Sequence, residues 1–86
     1  MKVFKYILQV TDKQTLMMPA GAKLLDVQIQ GEKCCIWALC DPAAPEVPRH
    51  LAIYGTGNPM PDECGEYIAT FQMYGGSLVF HAFEIV

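Results

Sequence analysis

The sequence has little of what most functions need. No apolar stripe recurs every three to four residues, so amphipathic helices are not expected, and helical bundles and α/β folds go with them. No apolar run approaches the ~18 residues of a membrane span, and Met1-Lys-Val-Phe-Lys-Tyr6 lacks the apolar core of a secretory signal, so cytoplasmic residence is expected, with no membrane partner. Charge is sparse: 17% of residues are charged, nine acidic against six basic, giving a net charge of −3 spread in single positions. Six dispersed cations form no basic patch for a phosphate backbone, and nine carboxylates are too few to mimic one, so nucleic acid is excluded as a partner. Two histidines and four cysteines are present, but no C-x2-C knuckle, so neither a metal site nor a cofactor is expected. With no signal sequence the compartment is reducing, and Cys34, Cys35, Cys40 and Cys64 read as free thiols.

What the 86 residues do contain is alternation at a period of two, in short stretches punctuated by glycine and proline. Phe4, Tyr6, Leu8 and Val10 share one face of a first strand over 2–11. A short strand over 14–18 follows, then a Pro19-Ala20-Gly21 turn. Two strands over 23–30 and 33–40 flank Gly31-Glu32, which suits a two-residue hairpin turn. That turn pairs Ile29 with Cys34, Val27 with Ile36 and Leu25 with Ala38 on a core side. Gln28 beside Cys35, Asp26 beside Trp37 and Leu24 beside Leu39 make up a mixed opposite side. Three prolines make 41–48 a loop, a strand covers 49–54, and the Gly- and Pro-rich stretch 55–65 is a second, longer loop.

The C-terminal run Tyr67-Ile-Ala-Thr-Phe-Gln-Met-Tyr-Gly-Gly-Ser-Leu-Val-Phe-His-Ala-Phe-Glu84 is a hairpin turning at Gly75-Gly76. It pairs Tyr74 with Ser77, Met73 with Leu78, Phe71 with Phe80 and Thr70 with His81. Ala69, Phe71, Met73, Leu78, Phe80 and Ala82 face the core, and Ile68, Thr70, Gln72, Tyr74, Val79, His81 and Phe83 face outward. The expected fold is therefore all-β: one domain over 1–86, a small antiparallel β-sandwich or barrel of about seven short strands with little or no helix. A composition 52% hydrophobic and poor in charge cannot coat every side of so small a domain, so a homo-oligomer is expected.

Catalytic groups are hard to assemble. Cys64 is a loop thiol between Glu63 and Gly65, with His81 as the one candidate base, and a neighbouring carboxylate works against a reactive thiolate. Gly55-Thr-Gly-Asn58 has the glycines of an anion loop but neither a following Gly-Lys-Ser/Thr nor a helix. No catalytic residue is assigned, and the chain reads as a non-enzyme. Recognition by aromatic rings is the stronger reading, because large amphipathic side chains concentrate binding energy. The candidate binding residues are Trp37, Tyr54 and Tyr74, joined by Gly55, Thr56 and Asn58 of the long loop and by His81. Lys23, Lys33, Arg49 and the 55–58 amides are the only visible donors for an anionic ligand.

Four segments, Met18-Pro-Ala-Gly-Ala-Lys-Leu-Leu-Asp-Val-Gln-Ile-Gln30, Trp37-Ala-Leu-Cys-Asp-Pro42, Tyr54-Gly-Thr-Gly-Asn-Pro59 and Tyr67-Ile-Ala-Thr-Phe-Gln72, together resemble a family of small uncharacterised bacteriophage and prophage proteins. The resemblance implies viral origin and expression inside a bacterium, and it carries over no functional residue. Combined with the residue reading, it points to a phage-encoded accessory binding protein. Such a protein engages a host component, protein or small molecule, and inhibits a defence or regulatory process. A structural or assembly component of the virion is the alternative, and a sponge for a nucleotide signal is the third reading.

Overall fold

In a computed structural model describing residues 1–86, the alternation becomes seven strands: β1 (Lys2–Leu8), β2 (Gln14–Pro19), β3 (Lys23–Gln30), β4 (Lys33–Cys40), β5 (Glu46–Gly55), β6 (Glu66–Met73) and β7 (Leu78–Ile85). There is no α-helix, and so no helix that could cross a membrane. All pairings are antiparallel, in a three-stranded sheet ordered β1-β4-β3 and a four-stranded sheet ordered β2-β5-β7-β6. The two sheets pack as a sandwich. Between them lie Leu8, Val27, Cys34 and Ile36 from the first sheet and Leu51, Ile53, Ala69, Phe71 and Ala82 from the second. Phe71 stacks on its cross-strand partner Phe80 at 5.7 Å. A second small cluster, Met18, Ala22, Ala38 and Cys40, closes one end.

Several expectations of register are corrected. β1 stops at Leu8, because Gln14 turns its amide onto the backbone of Gln9 and ends the ladder there. β5 begins at Glu46, inside the stretch expected to be loop, and Met17 pairs with Pro48. Proline is tolerated at that position because β7 pairs with β5 only from His50 onward, leaving Pro48 a partner on one side only.

The β3–β4 pairs hold from Asp26 to Gln30, but a bulge between Leu24 and Asp26 sets Leu24 opposite Ala38 and Lys23 opposite Leu39. Leu24 therefore packs on the core and Leu25 is left exposed, the reverse of the alternation. A second bulge between Tyr67 and Ala69 has the same effect on β6: Ile68 packs on the core and Tyr67 moves to the outer face. Both bulges lie on the strands that meet where the two sheets adjoin, where Gln28 Nε2 donates to the Thr70 carbonyl at 3.5 Å. Bulges twist such edges and end their pairing.

At the tip of the terminal hairpin Met73 pairs with Leu78, and Tyr74 to Ser77 form a four-residue connection with a 3₁₀ turn over Tyr74–Gly76. The Tyr74–Ser77 pair is absent because Tyr74, like Gly75 and Gly76, has positive φ (53°) and leaves the strand. Leu78 is correspondingly exposed and lies outside the core.

Candidate functional site

Alternation along β5, β6 and β7 sends one residue of each pair into the sandwich and the next to the outer surface of the four-stranded sheet. Pairing then lines up two outward rows: Ala52, Phe83 and Tyr67 in one, Tyr54, His81 and Thr70 in the next. The 56–65 connection runs from the Phe80 end of β7 to its Glu84 end, and its Thr56 is bonded to the outward-facing His81. Ala52 is fully buried and Tyr54 is only 6% exposed. The rings themselves supply part of the cover: Tyr54 leans on Phe83 at 6.3 Å, and Tyr67 meets Phe83 edge-on at 5.8 Å while remaining 60% exposed. Both contacts fall in the separation range at which aromatic pairs attract beyond simple burial.

A chain of side-chain hydrogen bonds runs through the second row, and its direction can be worked out. Thr56 Oγ1 donates to the Val79 carbonyl at 3.3 Å, so toward His81 it accepts, from Nε2–H at 2.7 Å. His81 Nδ1 is then the acceptor for the Thr70 hydroxyl at 3.0 Å, whose oxygen accepts from the Tyr67 hydroxyl at 2.8 Å. Taken in this direction the network uses the Nε2–H tautomer, and both ring nitrogens and all three hydroxyl hydrogens are engaged. Thr56 is itself held by its backbone N–H bond to the Val79 carbonyl at 3.0 Å. Chemically the arrangement is a braced aromatic and hydroxyl surface.

Of the residues singled out in the sequence, Tyr54, Gly55, Thr56, Asn58 and His81 are gathered at this end of the sheet. Asn58 closes a turn by donating its N–H to the Gly55 carbonyl at 3.1 Å, and its side-chain amide lies close over Gly55. Behind this turn lies a shallow groove of about 330 Å³, bordered by Ser77, Leu78, Val79 and Phe80. Trp37 is elsewhere, half-buried on the outer face of the three-stranded sheet between Lys5 and Asp26. Tyr74 stands at the hairpin tip, 74% exposed. The sequence reading sets Thr70 beside His81 on the outward face without assigning it to a site, and it misses Tyr67. Strict alternation places Tyr67 inside, and only the bulge at Ile68 turns it outward.

The remaining chemistry is dispersed. Cys34, Cys35 and Cys40 are buried free thiols, and burial followed by the neighbouring Cys35 pushes the Cys34 thiol up to about 11, far from a reactive thiolate. Cys64 is half-buried in the loop, and His81 turns both ring nitrogens to threonines, not to it. Arg49 grips Glu84 through two contacts, Nε to Oε2 and Nη2 to Oε1 at 2.9 Å, and donates from Nη1 to the Ala22 carbonyl at 2.7 Å. The Glu84 hydrogen bond raises the Arg49 pKa, and the guanidinium is occupied and cannot serve an anionic ligand. No three His, Cys, Asp or Glu side chains converge as a metal site would require.

With this geometry in place, comparison with protein-family models gives one match, a domain of unknown function, DUF7352, over residues 1–86. The chain belongs to that family. No curated protein matches the DUF7352 chain, and no solved structure does.

Proposed function

We propose that the DUF7352 chain is a non-enzymatic binding protein, encoded by a phage or prophage as the resemblance of its segments implies. It acts in the bacterial cytoplasm by covering a host protein, and its recognition surface is the outer face of the four-stranded sheet around Tyr54, Tyr67, Thr70, His81 and Phe83. The observation that carries this reading is the network Tyr67–Thr70–His81–Thr56, which holds the ring and hydroxyls of this face in one fixed arrangement. An exposed Tyr67 ring beside a half-buried Phe83 is the kind of anchor that dominates protein interfaces.

A protein partner is favoured over a small molecule because Tyr67, the anchor of this face, is 60% exposed and the nearby groove is shallow, whereas small-molecule sites enclose most of their ligand. The reading as a nucleotide sponge loses Arg49, one of its few cationic donors, to Glu84. Native mass spectrometry of the protein purified from its bacterial host tests the proposal. A protein adduct present with the wild type and lost in a folded Tyr67→Ala variant is the expected result. A small-molecule adduct, or a protein adduct indifferent to Tyr67→Ala, overturns it.

A further inference from the structure

The other outer face, on the three-stranded sheet, carries a charge pattern that the monomer leaves unused. Register sets Lys5, Trp37 and Asp26 side by side in one row, on β1, β4 and β3 respectively. With strands about 4.8 Å apart, the two opposite charges straddle the indole about 10 Å from each other, too far to pair. Neither charge has an ionic partner within the chain, where Arg49–Glu84 is the only salt bridge. Asp26 accepts through Oδ1 alone, from Val27 N–H at 2.8 Å and Gln28 Nε2 at 3.3 Å. Lys5 Nζ donates to Gln30 Oε1 at 2.7 Å, a bond that spans the row of Cys35 and keeps that outward thiol buried. Above and below this row, Val3 (55% exposed) and Ile7 (46% exposed) flank the half-buried Leu39 and the buried Cys35.

We propose that this face is a homodimer interface whose occupant is a second copy of the chain. Place a two-fold axis in the plane of contact, running along β4 through Trp37. The indoles of the two copies then meet at the axis, and Lys5 of each copy lies over Asp26 of the other. Lys5 and Asp26 are thereby paired twice, while Lys23 and Lys33, at the strand ends of the same face, stay at the rim, and the sheets stack in the aligned manner of sandwich layers. Three strands of eight residues or fewer present a plan area of roughly 370 Å², below the ~800 Å² per partner of a standard stable interface, so the dimer is of the weak, concentration-dependent class with micromolar or weaker affinity. The inference is independent of the partner-binding reading above, which uses the opposite face of the molecule.

Charge reversal tests it. Sedimentation equilibrium from micromolar to submillimolar protein, followed in parallel by Trp37 fluorescence, is expected to show a wild-type dimer and a blue shift on association. Lys5→Glu and Asp26→Lys each oppose like charges across the axis and should weaken self-association by about tenfold or more. An equimolar mixture of the two variants re-forms both Lys–carboxylate contacts and should dimerise as the wild type does. Lys5 is an exposed edge-strand position, so Lys5→Glu decides the question even if Asp26→Lys perturbs the bulge that Asp26 caps. A wild type monomeric throughout the range, or a Lys5→Glu variant that associates as the wild type does, overturns the proposal.

Discussion

Arg49 joins three segments that lie far apart in the sequence. Its guanidinium joins β5 to β7 through Glu84 and reaches the Ala22 carbonyl in the turn before β3, so one side chain ties the two sheets together at one end. Removing it leaves Glu84 without its cation and directly opposite Glu66 on β6, where like charges repel. Breaking a fully buried pair costs about 3–5 kcal/mol; these side chains are 19% and 14% exposed, so Arg49→Ala is expected to cost about 2 kcal/mol and lower Tm by roughly 8–16 °C. The double variant Arg49→Ala/Glu84→Ala should recover part of that loss in thermal melts.

Cys34 adds a pH dependence. Its thiol is raised from 9.0 to about 11 in the folded protein, chiefly by burial, so the unfolded chain ionises first. The contribution of Cys34 to stability is therefore intact below pH 9 and falls as pH climbs from 9 toward 11. Urea midpoints across that window should decline less steeply for Cys34→Ala than for the wild type. Thiol labelling should separate the four cysteines at neutral pH. Cys64 reacts promptly, while Cys34, Cys35 and Cys40 wait on unfolding.

Among the elements, the terminal hairpin shows how far pattern reasoning reaches. Met73–Leu78, Phe71–Phe80 and Thr70–His81 all follow from centring the turn on Gly75-Gly76, because side-chain period and turn position together fix register. What pattern alone does not reveal is that Tyr74 also turns left-handed, at φ 53°, a conformation unfavourable for an aromatic residue by about 1 kcal/mol or more. Tyr74→Asn should accordingly stabilise the protein by about 0.5–1 kcal/mol in denaturant titrations, since Asn adopts this region readily and Tyr74 is exposed. An unchanged or lowered midpoint would mean that the Tyr74 ring holds the tip in place. The opposite case is Gly65, where the long loop lands on β7: φ is +92° and a Cβ would lie 2.1 Å from the Glu84 carbonyl oxygen. Gly65→Ala forces backbone to move and should destabilise by about 3 kcal/mol or more.

For the molecule as a whole, the open edges set the dynamics. β4, β5 and β7 each have neighbours on both sides, while β1 and β2 are paired on one side only. Amide exchange should be slowest in β4, β5 and β7 and at least about tenfold faster in β1 and β2 under conditions where opening is local. Protection of β1 equal to that of β4 would show that something covers the β1 edge. The two outer faces also differ in kind. One carries a braced aromatic and hydroxyl surface around His81, the other a tryptophan flanked by unpaired opposite charges. The molecule thus has two separate surfaces available for association.

The all-β class, the number of strands, and most pairs in both hairpins were determined locally, by side-chain period and by glycine and proline positions, and needed no tertiary information. Tertiary structure alone decided the bulges beside Leu25 and Ile68, because a bulge answers to the twist required where two sheet edges meet, and that meeting joins residues far apart in the chain. Those bulges expose Leu25 and bring Tyr67 onto the surface shared with Thr70 and His81. The candidate site was therefore half legible: Tyr54, Thr56 and His81 could be named from their strand and loop, but the ring and hydroxyl that complete it are put there by the closure of the sandwich.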